Sequence, residues 1–100
     1  MKFKIEGTVH NAKRDDYRVI ILNSRTGNML KKLDIIRPND PRKENPVKMY
    51  KGHWFHPENC LVDIQLFDMR SGIMVGNRLC VEPLGMEDDD TCALQVDFTL

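Results

Sequence analysis

Two of the chain's three histidines, His53 and His56, flank its only tryptophan, Trp54, and Cys60 follows close behind. Imidazole nitrogens and a thiolate are zinc ligands, so His53-x-x-His56-x-x-x-Cys60 is a stretch whose residue types could hold a metal. Extended backbone works against it. In a strand, residues three apart point to opposite faces. Pro57 disfavours the helical turn at His56 that would bring the rings together. A fourth ligand would have to come from a distant part of the chain. The same residues lack a nearby Asp or Asn to orient a nucleophile–base pair. A zinc site around His53, His56 and Cys60, in a metal-binding protein or an enzyme, is therefore the alternative reading and not the first.

The acidic run "MEDDDT" invites a calcium reading by charge alone. It lacks the spaced Asp-x-Asp-x-Asp-Gly order that lets alternate side chains converge on one ion. Consecutive carboxylates point apart, so a solvated acidic loop is expected. There is no glycine-rich phosphate loop, nucleophile elbow or dinucleotide fingerprint, and Gly76 and Gly85 stand too isolated to make one. The chain does not read as an enzyme, and no cofactor is implied.

The elements that must position these residues have a period of two. One hundred residues, 41% of them apolar and 30% charged, suit one domain with one core, spanning 1–100. Phe3, Ile5 and Val9 alternate with polar residues in a first strand, with Gly7 suggesting a bulge. Tyr17 to Leu22 is a β-branched run, "NSRTGN" is a turn-rich loop, and Met29 to Ile36 is the return strand of a hairpin. "RPNDPRKENP" is too proline-rich for a central strand. Further strands are expected over Val47–Phe55, Cys60–Phe67 and Ile73–Val81. "HPEN" and "DMRSG" turn the chain, and "EPLGMEDDDT" is a loop. A last strand, Cys92 to Leu100, has the cleanest alternation. Seven or eight short strands separated by turns predict an all-β chain folded as an antiparallel β-sandwich.

Composition narrows the uses. The net charge is zero, without the overall basicity of a nucleic-acid binder. Charge is nevertheless uneven. Lys31, Lys32, Arg37, Arg42, Lys43, Lys48 and Lys51 cluster in the middle of the chain, whereas Glu82 to Asp97 holds acids and no base. Such a dipolar surface can steer partners. No apolar run is long enough for a transmembrane segment. The start, Met-Lys-Phe-Lys-Ile-Glu, does not resemble a secretory signal. Three cysteines without a tight pairing motif suit reduced thiols. A cytoplasmic location, peripheral at a membrane if lipid is bound, is the expectation.

The order of the pieces resembles a C2 domain. "DDYRVIIL" stands where that family has an Asp-Pro-Tyr-type strand start, and Asn45-Pro46-Val47 stands at its Asn-Pro-Val segment. "LVDIQLFDMRSGIMVGNRLCVEPL" is similar to the later half, with Val75–Gly76 as its hydrophobic–Gly pair. The resemblance implies a C2-like sandwich and calcium positions at Asp15 and Asp68. Here those positions look vestigial. Arg70 stands where a further aspartate would be, and the trimmed loop offers only Asp16 beside Arg14. A calcium-independent domain is implied. The resemblance also implies a lysine-rich surface for anionic phospholipid, on which Lys31, Arg37, Lys48 and Lys51 would lie. Trp54 would join that surface as a membrane or partner contact, unless it packs inside. The expected function is a non-catalytic, scaffold-like interaction module. It would bind a protein partner and, as a second use, anionic membrane lipid.

Overall fold

The computed structural model describes residues 2–12, 14, 16–34, 47–56, 61–82, 85–87 and 91–100, and the fold is built from these. The proline-rich stretch "RPNDPRKENP", the end of the strand expected over Met29–Ile36 and the start expected at Cys60 lie outside them.

Alternation of apolar and polar residues creates ribbons with one face that prefers to leave water. These are β1 (Lys2–His10), β2 (Tyr17–Asn23), β3 (Met29–Asp34), β4 (Val47–Phe55), β5 (Val62–Asp68) and β6 (Ile73–Val81). Three shorter ones follow: β7 (Gly85–Glu87), β8 (Thr91–Gln95) and β9 (Phe98–Thr99). They form two sheets. One has the order β4-β1-β8-β7, with β9 also on β1, and the other has the order β3-β2-β5-β6. The inward faces meet in one apolar cluster that includes Phe3, Ile5, Val19, Ile21, Ile64, Leu66, Leu94 and Phe98. The protein is an all-β sandwich, as the alternation predicts.

Three details differ from the sequence reading. Gly7 marks no bulge, because β1 pairs with β4 without a slip from Lys2↔Phe55 to His10↔Val47. It serves close approach instead: a Cβ there would run into the carbonyl oxygen of Val96 and lie 2.5 Å from the Tyr50 ring. The acidic loop contains β7, which pairs with β8. The last strand is also broken in two. β8 and β9 both run parallel to β1, and Val96 and Asp97 lie between them. Asp97 accepts bonds of 2.9 Å from both the Thr8 amide and the Thr8 hydroxyl, so its side chain replaces part of the ladder. A first strand and a last strand side by side in one direction make a parallel seam in an otherwise antiparallel sandwich.

Candidate functional site

At one end of the sandwich the stretch joining β1 to β2 meets the tight turn joining β5 to β6. The Met69 amide donates to the Asp16 carbonyl at 2.8 Å, which fixes the two segments together. Arg14 lies between their carboxylates. Its Nη2 is 2.5 Å from Asp68 Oδ2 and its Nη1 is 3.4 Å from Asp16 Oδ2. Nη2 also donates to the Tyr17 hydroxyl at 3.3 Å, and the guanidinium lies 5.3 Å from the Tyr17 ring centre. Arg70 reaches Asp16 Oδ2 from the other side at 3.1 Å. Lys48 Nζ donates to the Arg14 carbonyl at 2.5 Å and so supports the loop from beneath.

Charge explains the titration of this group. The hydrogen bond from Arg14 holds the Asp68 carboxyl below its usual range, against the opposing effect of burial. The hydrogen bonds to Tyr17 and Asp68 raise Arg14 further above its already high value. Positive charge at this end therefore comes from the chain's own guanidinium groups. Of the two positions that resemble calcium ligands, Asp68 lies in this clamp and Asp15 is outside the described residues. No group of three His, Cys, Asp or Glu side chains among the described residues is arranged to hold a metal.

Of the four basic residues expected on one surface, the three described ones do not share one. Lys48 is buried, with its side chain directed into the sandwich. Lys51 is exposed on the opposite face of β4. Lys31 is exposed on β3, in the other sheet, and Arg37 is outside the described residues. The reason is parity: residues 48 and 51 are an odd number apart, so an extended chain must point them to opposite sides.

Trp54 is buried at 9% exposure and stacks on Phe3 at 5.2 Å between ring centres. Its neighbour Phe55 is 71% exposed. Phe55 and Met49 share the outer face of β4 with Lys51 and His53. On β1, Lys2 lies beside Phe55 and Lys4 beside His53. An apolar and basic surface therefore exists on this outer face, built from β1 as well as β4. Its signal in the sequence was the charged half of the β1 alternation, which reads simply as solvated.

The second surface is the β6 edge of the other sheet. β6 is its outermost strand, and Ile73, Met74, Val75 and Leu79 are all at least 40% exposed. Two register shifts against β5, near Val75 and near Leu79–Cys80, bend the strand. Cys80 adopts φ of 52° and its amide donates to Asp63 Oδ1 at 2.9 Å. Ser24 donates to the same oxygen. Arg78 lies 5.6 Å from the Phe98 ring centre and covers the core from that side.

His53 is exposed and His56 half-buried. Cys60, the third residue of the zinc alternative, is outside the described residues. Cys80 and Cys92 are free thiols, one exposed and one buried. Among the described residues no helix is long and apolar enough to cross a membrane. No family model, curated protein or solved structure matches the chain.

Proposed function

We propose that this chain is a non-catalytic, C2-like interaction module that binds a protein partner without calcium. The observation that carries the reading is the β6 edge. Among the described residues β6 is an outermost strand, laddered to β5 on one side, and with four large exposed apolar side chains it offers a strand edge and desolvation to a partner. The clamp of Arg14 and Arg70 on Asp16 and Asp68 supports the calcium-independent part, since their carboxylates are already neutralised. The test is affinity capture from the native cell with the wild type and with Val75→Lys/Leu79→Lys. Loss of a specific protein from the variant, with its β-sheet circular dichroism intact, is the expected result. An unchanged set of bound proteins would remove the β6 edge from the reading.

A second use as an anionic-lipid binder is favoured by the outer face of β1 and β4. Lys2 lies beside the exposed Phe55 there, and Lys4 and Lys51 share its face, with Glu6 paired to Lys4 and opposite Lys51. Each basic residue near an anionic surface contributes about 1 kcal/mol, so this face alone gives weak adhesion. Flotation with phosphatidylserine vesicles, with and without calcium, tests it. Binding that is equal in both conditions and is lost in Lys4→Glu/Lys51→Glu is expected. The zinc alternative at His53, His56 and Cys60 would displace both uses if purified protein held stoichiometric zinc that His56→Ala abolished.

A further inference from the structure

We infer that the partner of the β6 edge is a second copy of this chain, paired antiparallel about a two-fold axis through Asn77. The inference rests on the protein-partner reading above and names the partner. An antiparallel pairing of identical strands must place one residue opposite itself. Asn77 is the middle of the nine residues of β6. With Asn77 on the axis, Ile73 meets Val81, Met74 meets Cys80 and Val75 meets Leu79. Every apolar residue of the strand thus meets an apolar residue or a thiol. Gly76 meets Arg78, so the strand's only charge faces no like charge and has room for its side chain.

Two further features fit the same axis. The bend near Val75 in one copy falls opposite the bend near Leu79–Cys80 in the other, so two irregular edges match. A straight strand could not follow either bend, which limits open-ended sheet extension. At the centre, the Asn77 side-chain oxygen is buried without a hydrogen-bond partner. Rotation about χ2 would present it to the amide nitrogen of the other Asn77.

A contact confined to one strand edge belongs with interfaces below about 1,200 Å² in total. The dimer is therefore weak and concentration-dependent. Sedimentation equilibrium from low micromolar to millimolar protein should show a monomer passing to a dimer and no larger species, and Val75→Lys/Leu79→Lys should remain monomeric. In a Cys60→Ser/Cys80→Ser background, Asn77→Cys should form a disulfide dimer under mild oxidation. Lys32→Cys, on the opposite edge strand, should not.

A wild type that stays monomeric at millimolar concentration would overturn the inference. So would a dimer unaffected by the lysines, or crosslinking of Asn77→Cys no faster than that of Lys32→Cys. If the chain is monomeric but the lysines still abolish capture of an unlike protein, self-pairing fails and the protein-partner reading stands. If both fail, the β6 edge has neither use.

Discussion

Arg14 is the residue on which the loop end turns. It joins Asp16, Tyr17 and Asp68, and its carbonyl receives Lys48. The clamp has a pH signature. Asp68 has a lowered carboxyl pKa in the folded chain and about 4 when unfolded. The stability it contributes is complete above that unfolded value and is lost as pH falls through the folded one. In Arg14→Gln the two values lie closer together. Urea midpoints measured from pH 6 down to pH 2 should then fall less steeply below pH 4 than in the wild type, from a lower starting point. Gly7 makes the complementary steric argument. Any side chain there meets Val96 and Tyr50, whose hydroxyl donates to the Val96 carbonyl. Forcing a methyl into a packed site costs about 1–3 kcal/mol. Gly7→Ala should lower the unfolding free energy by that amount in urea titration, at unchanged slope.

Among the described strands, β1 pairs with three others. It is paired along its whole length to β4 on one side, and on the other to β8 over Lys2–Glu6 and to β9 over Val9–His10. Its inward residues Phe3, Ile5 and Val9 are all 1% exposed or less. β6 is the opposite case, an edge bent twice and apolar on its exposed side. Amide hydrogen exchange follows local opening, and the paired, buried strand should open only with the whole molecule. Exchange of Ile5 and Ile64 should therefore track global unfolding in denaturant. The β6 amides that face away from β5 should exchange orders of magnitude faster in dilute protein. At millimolar concentration, self-pairing should slow them selectively.

For the whole molecule, the two proposed surfaces differ in character. The outer face of β1 and β4 combines lysines with Phe55, while the β6 edge is nearly uncharged. A chain of zero net charge can thus present a basic side and an apolar edge at once. Its loop end carries its own cations. Thermal unfolding in millimolar calcium and in chelator should consequently give the same midpoint within error. A specific upward shift with calcium would show ligand binding to the native state and would contradict the clamp's role.

Much of this architecture was determined by the sequence alone, because period-two alternation is a local property. Each residue declares a side of its own strand, so β1, β2, β4, β5 and β6 are legible nearly residue by residue. So is the sandwich that must bury their apolar sides. The same parity separates Lys48 from Lys51 and Trp54 from Phe55. It says that they oppose each other, and only tertiary packing decided that Lys48 and Trp54 are the inward pair. What neighbours what was beyond local reading. The parallel seam of β1 with β8 and β9, the Gly7 contact with Val96 and the meeting of Arg14 with Asp68 join residues more than fifty positions apart. No pattern in either segment encodes the other. Such contacts arise only when two sheets close over one core, and that closure decided which charges are paired and which edge is left open.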